Sequence, residues 1–261
     1  MRAFIGVVKL GLLVLSILLT YGVFWIGYGL SALPGLGFLK QRRFMTKALA
    51  HLMAFFLNIH VTYEGTPPRS PFFLVSNHLS YLDIAPIFMS MDCRFVAKKA
   101  VRSWPVLGYM MKTVDVIFAD RTRRMDVKRV NEILTDSQNR NDNIVLFPEG
   151  TTTGGDQVLP FQASLLNYPA NHRIPVYYAA IQYETDPKDP PARDSVCFFG
   201  ARDPFHKHLM KMAKNRRIHC KIRFHEEPVV EDDRKALAAS LHQKVEESMF
   251  GKQAVTASLQ Q

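Results

Sequence analysis

A histidine and an aspartate stand five residues apart, directly after an apolar run typical of a strand. The run is PFFLVSN at 71–77; His78 follows it, and Asp83 ends the segment NHLSYLD. On a regular helix five residues correspond to a rotation of about 140°, so the two side chains can pair only if His78 lies in the turn before a helix. Asp83 would then fix the tautomer of His78, and the imidazole would take a proton from a hydroxyl group. Alternatively, Ser80 and Asp83 form a capping box, in which Asp83 merely begins a helix.

A second apolar run, NIVLF, is followed by a carboxylate, three glycines and three threonines, in the segment PEGTTTGG at 148–155. Glycines after a buried strand let the backbone approach a polar substrate closely. Glu149, Gly150 and Thr151 are therefore candidates for substrate binding. The alternative for this segment is a plain turn in which Glu149 is solvated.

Basic residues end two more of the apolar runs. Arg121 closes VDVIFADR, and Lys98 and Lys99 close CRFVAKK. The guanidinium fork suits a phosphate, so Arg121 is predicted to bind an anionic group, and Lys98 is a second candidate for substrate binding. A lysine pair at a strand end more often faces solvent, which is the alternative for Lys98.

Several kinds of chemistry lack support in the sequence. It contains no G-x-G-x-x-G, Walker, H-E-x-x-H or G-x-S-x-G motif, which argues against nucleotide binding and a serine nucleophile. Its three cysteines form no C-x-x-C pair and its histidines have no ligand spacing, so no metal site and no cofactor are expected.

Short β-type runs alternate with helical patterns over the chain after residue 60. Such alternation predicts an α/β fold with a mixed, largely parallel sheet flanked by helices, in which functional residues gather at the carboxyl ends of strands. Helical spacing is found at 127–137 and 237–249. The predicted strands are 60–65, 71–77, 93–99, 114–121, 143–150, 174–183, 195–200 and 218–227.

The start of the chain predicts a membrane anchor. In its 261 residues the first acidic one is Glu64, and 10–39 carries no charge at all. The apolar stretch 10–30 can cross a bilayer core of about 30 Å before Pro34 breaks it, either as one span or as a half-inserted helix. Aromatic residues within the stretch disfavour a cleaved signal peptide.

A second helical pattern follows at 45–59, with Arg42, Arg43 and Lys47 beside it. It fits an interfacial helix whose basic residues meet lipid head groups, and it equally fits a helix packed on the protein. Residues 1–60 are thus predicted to anchor a domain of residues 61–261. The excess of basic residues after the apolar stretch places that domain on the cytoplasmic face, most simply of a bacterial inner membrane. The net charge of +10 is then expected to attract anionic membrane lipids, and no nucleic-acid partner is expected.

Taken together, four blocks of the sequence resemble the glycerolipid acyltransferases typified by lysophosphatidic acid acyltransferases. The blocks occur in that family's order, and the ordered set is far more specific than any one block. They are Asn77–Asp83, Val116–Arg121, Phe147–Thr151 and Ile174–Val176.

The resemblance implies roles for the candidate residues. His78 would be the general base and Asp83 its orienting residue, Arg121 would bind the acceptor's phosphate, and Glu149 with Gly150 would position the acceptor. The implied reaction moves a fatty acyl group from acyl-CoA or acyl carrier protein to the hydroxyl of a lysolipid, with lysophosphatidic acid as the first expected acceptor.

Two positions depart from the family pattern. Thr152 and Gln162 stand where many members have a basic residue. Fewer cations weaken the expected preference for a phosphomonoester, so another lysophospholipid or a lyso-aminolipid is the alternative acceptor. From another class of function, a non-catalytic lipid-binding protein is the remaining alternative.

Overall fold

A computed structural model describes residues 2–29, 38–104, 107–119, 132–137, 142–200 and 203–251. Contacts divide the chain into two units. The first comprises Met1–Thr62, Leu79–Asp92 and Tyr183–Cys220, and the second comprises Tyr63–His78, Cys93–Gln182 and Lys221–Gln261.

A mixed, mostly parallel sheet of seven strands is formed by the described residues, in the order β1-β7-β6-β2-β5-β3-β4. The pairs β2–β5, β2–β6, β3–β5 and β3–β4 are parallel. The sequence prediction of an α/β fold with a largely parallel sheet is therefore confirmed. The strands are β1 (Ile59–Glu64), β2 (Phe73–Ser76), β3 (Arg94–Lys98), β4 (Ile117–Ala119), β5 (Ile144–Leu146), β6 (Val176–Thr185) and β7 (Ile218–Phe224).

Helices occupy most of the remaining described chain. Short 3-10 turns add Tyr81–Asp83, Lys99–Ser103 and Ala163–Leu166. The helices are α1 (Arg2–Gly29), α2 (Phe38–Leu57), α3 (Ile84–Ser90), α4 (Leu107–Thr113), α5 (132–137), α6 (Asn167–Asn171), α7 (Ala192–Ser195), α8 (Phe205–Ala213) and α9 (Arg234–Phe250).

The core of the second unit lies where α9 covers the parallel strands. The carboxylate of Asp233 caps α9 by accepting hydrogen bonds from the N–H groups of Lys235 and Ala236, each at 2.8 Å. Apolar residues four positions apart then bury one face of the helix. That face, formed by Leu237, Leu241, Val245 and Met249, joins strand residues such as Phe73, Val75, Ile144, Leu146 and Val176 in one buried cluster.

In the first unit, the long apolar helix α1 packs against α2 and α8. Gly6 permits the close approach of α8, since a Cβ there would come within 3.3 Å of Met210 Sδ. The amide of Gln41 on α2 donates a hydrogen bond to the carbonyl of Gly27. Among the described residues, α1 alone is long and apolar enough to cross a membrane, and only 11% of its most apolar stretch is buried.

Helix α2 combines the two arrangements expected for it. Its apolar residues Met45 and Leu49 are buried in the first unit, as in an ordinary core helix. Arg43 and Lys47 each lie 3.7 Å from the carboxylate of Asp92. The basic side of α2 is therefore paired in part with the protein itself.

One predicted strand, 195–200, is wrong. The N–H groups of Val196 and Cys197 bond to the carbonyl of Ala192 and extend the turn of α7, and the N–H of Phe198 bonds to the carbonyl of Leu79. These bonds occupy the donors that a strand would need for pairing. Of the helix predicted at 127–137, the structure describes the part within 132–137, and Pro34 lies outside the described residues.

Candidate active site

The segment that follows β5 turns sharply and directs its carboxylate into the protein. The N–H of Gly150 bonds to the carbonyl of Phe147 at 3.1 Å, which closes a four-residue turn. Gly150 has φ of 72°, in the left-handed region that glycine adopts without steric cost. Glu149 is only 2% exposed as a result. The predicted alternative of a solvated carboxylate at this turn therefore does not hold.

The carboxylate of Glu149 holds two separate backbone segments. Its Oε1 accepts a hydrogen bond from the N–H of His78 at 2.7 Å, and its Oε2 accepts one from the N–H of Leu159 at 2.8 Å. Short bonds from N–H groups to a charged oxygen are among the stronger hydrogen bonds of proteins. Glu149 thus fixes the backbone at the residue expected to act as a base.

Two further contacts hold His78 from the same loop. The N–H of Thr153 donates to the carbonyl of His78 at 2.9 Å. The imidazole stacks on the ring of Phe147, with centroids 4.1 Å apart and planes 5° from parallel. Residues 147–153, hereafter the clamp loop, therefore contact the N–H, the carbonyl and the ring of a half-buried histidine.

Asn77, directly before His78, ties the end of β2 to its neighbour β6. Its amide donates to the carbonyl of Ile181 at 2.9 Å and accepts from the N–H of Ile181 at 2.7 Å. The side chain is buried, so both bonds are shielded from water. Sequence reasoning gave no role to Asn77, Phe147 or Thr153, although Asn77 and Phe147 begin two of the blocks that carry the family resemblance and Thr153 lies in the segment at 148–155.

Asp83 belongs to the first unit, where it closes the 3-10 turn that leads into α3. Its Oδ2 accepts hydrogen bonds from the N–H groups of Leu79 and Ser80 at 2.7 and 3.0 Å, and its own N–H bonds to the carbonyl of Ser80. The carboxylate thus holds the backbone of the turn, as the capping alternative required. It is fully buried. Burial, followed by the nearby Cys220 and Asp83, raises the pKa of the Tyr183 hydroxyl well above its ordinary value.

The register of the parallel strands brings several of the other predicted residues to one sheet edge. Val75 of β2 and Val96 of β3 are both aligned with Leu146 of β5, so His78, Lys98 and Glu149 follow the same row of the sheet. Lys98 is exposed at the end of β3, and Gly150 lies in the turn of the clamp loop.

Thr151 is exposed. Arg121, predicted to bind an anionic group, lies outside the described residues. The structure therefore brings His78 into direct contact with Glu149 and leaves Lys98 and Thr151 on the surface.

The chemistry open to this arrangement is proton transfer at the imidazole. A fixed, partly exposed histidine at the carboxyl edge of a parallel sheet can take a proton from a bound hydroxyl. Among the residues that the structure describes, no group of three or more histidine, cysteine, aspartate or glutamate side chains could hold a metal ion.

Comparison with known proteins gives the family. A family model described as Acyltransferase matches residues 58–182, the stretch that contains β2, β5 and the clamp loop. The chain is 30% identical over 184 residues to a 1-acyl-sn-glycerol-3-phosphate acyltransferase of Neisseria gonorrhoeae, covering 70% of this chain and 72% of that protein. It is 29% identical over 246 residues to a lyso-ornithine lipid O-acyltransferase of Pseudomonas aeruginosa, covering 90% and 92% of the two chains.

A solved structure shares the fold. The crystal structure of the 1-acyl-sn-glycerophosphate acyltransferase PlsC from Thermotoga maritima matches with a TM-score of 0.63 at 21% identity, over 96% of this chain and 98% of that one. The resemblance of the four sequence blocks is confirmed, and the chain is an acyltransferase that belongs to the glycerolipid acyltransferase family.

Proposed function

We propose that the chain transfers a fatty acyl group from acyl-CoA or acyl carrier protein to the free hydroxyl of a lysolipid, with His78 as the general base. The observation that carries the proposal is that three residues of the clamp loop fix His78. Glu149 and Thr153 form hydrogen bonds with its backbone, and Phe147 stacks on its ring. A base works best when its ring is fixed toward the proton it must remove, and preorganisation of this kind lowers the barrier to reaction.

In the proposed reaction His78 takes the proton of the lysolipid hydroxyl. The hydroxyl oxygen attacks the carbonyl carbon of the thioester at the same time. The new ester C–O bond forms, the C–S bond breaks, and the proton passes from the imidazolium to the departing thiolate. Backbone N–H groups at the same sheet edge supply the stabilisation that the oxyanion needs. The step requires no covalent acyl-enzyme and no metal.

Asp83 completes the proposed pair as the residue that orients the imidazole. Support comes from its position five residues after His78 and from the two N–H groups that fix its carboxylate. These two bonds fix the carboxylate in place within a fully buried turn. In that position it can stabilise the imidazolium that forms during transfer.

The acceptor is proposed from two candidate head groups. Relatives named 1-acyl-sn-glycerol-3-phosphate acyltransferase support lysophosphatidic acid, with Arg121 and Lys98 as its phosphate ligands. Relatives named lyso-ornithine lipid O-acyltransferase support an amino-acid head. The second candidate gains from Gln162, which stands where a cation is usual and whose amide donates to the carbonyl of Glu149 at 3.2 Å.

Residues 1–60 are proposed to anchor the catalytic domain, residues 61–261, at a membrane. The exposed apolar surface of α1 supports this role, because soluble proteins seldom expose so large an apolar patch. The bacterial relatives named for lipid acyl transfer also support membrane association. More basic residues follow the apolar stretch than precede it, which favours a domain on the cytoplasmic face, in a bacterium that of the inner membrane.

One experiment tests the proposed function. Purified full-length protein in phospholipid nanodiscs is given labelled acyl-CoA or acyl carrier protein, with lysophosphatidic acid or lyso-ornithine lipid, and the products are identified by mass spectrometry. We expect an acylated lysolipid with the wild type and none above background with His78→Ala. A wild type that binds lysolipid without acylating any acceptor would instead support the non-catalytic lipid-binding alternative.

A further inference from the structure

The loop that follows the clamp loop in the chain is bonded back onto it. This loop comprises residues 157–162 and is hereafter the support loop. The hydroxyl of Thr153 donates a hydrogen bond to the carbonyl of Gln157 at 3.2 Å. The N–H of Gln162 donates to the carbonyl of Pro148 at 2.9 Å. The support loop is therefore bonded to the clamp loop at both of its ends.

The middle of the support loop is connected to His78 through Glu149. The N–H of Leu159 donates to Glu149 Oε2 at 2.8 Å, and the N–H of His78 donates to Glu149 Oε1 at 2.7 Å. Both bonds are short and reach a buried carboxylate, so they fix the two N–H groups relative to each other. The backbone position of His78 therefore depends on that of Leu159.

His242 of α9 contacts the support loop directly before Leu159. The carbonyl of Val158 can only accept, so His242 Nε2 carries the proton and donates to it at 3.0 Å. The imidazole also meets the ring of Phe161 edge-on, with centroids 5.5 Å apart and planes 85° from parallel. Val158 and Phe161 are buried in the same apolar cluster as Leu241 of α9. The support loop is therefore packed on α9 and bonded to it through His242.

The contacts of His242 and Glu149 meet at a single peptide group. The carbonyl of Val158 and the N–H of Leu159 belong to the same planar unit, which is rigid because its C–N bond has partial double-bond character. The carbonyl accepts from His242, and the N–H donates to Glu149. A hydrogen bond at the carbonyl polarises the peptide and strengthens the bond that its N–H donates. His242, this peptide and Glu149 thus form one chain of hydrogen bonds that ends at the N–H of His78.

We propose that His242 is a positioning residue for acyl transfer, which fixes the peptide between Val158 and Leu159 and thereby the backbone of the proposed base. The inference rests on the proposed role of His78. His242 lies beyond the last of the four family blocks, so it adds a residue that those motifs do not contain. Because the chain of bonds ends at the base, loss of His242 should lower the rate of transfer and leave the binding of the acceptor unchanged.

The test compares variants of His242 with a variant that weakens the same helix elsewhere. His242→Leu removes the donor and keeps an apolar side chain, and His242→Gln restores an N–H that can donate to the carbonyl of Val158. Asp233→Ala is the control, because it removes the cap of α9 and has no part in the chain of bonds. Acyl transfer is measured with the full-length protein in nanodiscs.

The three variants have different expected kinetics. We expect His242→Leu to lower kcat about 5- to 50-fold, as for a buried carbonyl that loses its donor, with KM for the acceptor within about twofold of wild type. His242→Gln should recover most of kcat. Asp233→Ala should lower the melting temperature and keep kcat. Wild-type kcat in His242→Leu, equal kcat in the leucine and glutamine variants, or an equal fall in Asp233→Ala would overturn the inference.

Hydrogen exchange measures the chain of bonds without substrate and so separates the two proposals. In the full-length protein, His242→Leu should speed exchange at the N–H groups of Leu159 and His78 about threefold or more, because local opening becomes easier. Asp233→Ala should speed exchange only at the start of α9. Unchanged exchange at both N–H groups in His242→Leu would overturn the inference, whatever the transfer assay shows. Absence of acyl transfer by the wild type, with the difference in exchange intact, would overturn the proposed function alone.

Discussion

The carboxylate of Glu149 accepts a 2.7 Å hydrogen bond from the backbone N–H of His78, although 71 positions separate the two residues in the chain. The second oxygen of Glu149 accepts a hydrogen bond from the N–H of Leu159, and the residue is only 2% exposed. Glu149 is therefore buried next to the backbone of the histidine. The family resemblance implied that Glu149 positions the acceptor. Its contacts instead support a role in positioning the base, and the two roles give different kinetics.

Glu149→Gln is predicted to lower kcat about 10- to 100-fold and to change KM for the acceptor little. The glutamine keeps the shape of the side chain, but its amide NH₂ faces one of the two backbone N–H donors and leaves that donor without an acceptor. An unsatisfied buried donor costs about 1–3 kcal/mol, so the free energy of unfolding should fall by a similar amount. Steady-state kinetics and chemical denaturation measure both effects.

Glu226→Gln is the matched control for this change, because Glu226 is exposed. It should alter neither kcat nor stability. If Glu149→Gln raises KM for the acceptor and leaves kcat and stability unchanged, Glu149 binds substrate and does not position His78.

His78→Ala is predicted to reduce acyl transfer about 10²- to 10⁴-fold, the range for loss of a general base. The backbone bonds to Glu149 and Thr153 do not involve the side chain, so the clamp loop should keep its path. Transfer of labelled acyl groups and circular dichroism measure activity and folding. His219→Ala, at an exposed histidine, is the control, and turnover near that of the wild type in His78→Ala would contradict the role of a base.

The order of strands and helices was predictable because it follows from local patterns. Buried strands such as β2 and β5 are short apolar runs that end in turn residues, and α9 shows a four-residue apolar spacing. The error at 195–200 has a physical cause. An apolar run of six residues has the composition of a strand, but the bond from Phe198 to Leu79 joins it to a segment more than a hundred residues earlier.

The candidate residues at the sheet edge were also predictable, because each ends or follows an apolar run. Their partners were not. The bonds of Glu149 to His78 and Leu159, and of Asn77 to Ile181, are long-range contacts that exist only after the strands have paired.

Asp83→Asn separates an orienting role from a purely structural one. The asparagine oxygen can still accept from Leu79 or Ser80, so the turn should lose only about 1 kcal/mol, the usual worth of a cap. The negative charge is lost completely, and with it the stabilisation of the imidazolium. We therefore predict a loss of activity approaching that of His78→Ala with a small fall in melting temperature. A mild loss of activity would leave Asp83 with the capping role alone.

Charge on the exposed face of α1 is predicted to weaken membrane attachment without disturbing the packing of α1 on α2 and α8. Leu18, Val23 and Ile26 are each about two thirds exposed, so lysine at all three positions leaves the buried face intact. A lysine at the centre of a bilayer costs about 2.5–3.5 kcal/mol on the insertion scale. Wild-type protein should stay in membranes washed with alkaline carbonate, and the triple variant should be released. The control is Arg217→Met, a change at an exposed residue outside α1, and this variant should stay bound. Release of the wild type under the same wash would contradict insertion.

Thr152→Arg tests whether the residue after the block Phe147–Thr151 contacts the acceptor's head group. Thr152 is half-buried in the clamp loop, one residue before the N–H that bonds to the carbonyl of His78, and the family resemblance implies a cation at its position. An arginine can form charge-assisted hydrogen bonds of about 1.5–3 kcal/mol with a phosphomonoester, enough to lower KM for lysophosphatidic acid roughly tenfold or more. A zwitterionic head gains less, because the added cation attracts its carboxylate and repels its ammonium. We therefore predict a fall in KM for lysophosphatidic acid that exceeds any fall for lyso-ornithine lipid, with Thr152→Gln as the long but uncharged control that changes neither. Equal effects of Thr152→Arg on both acceptors would show that position 152 does not contact the head group.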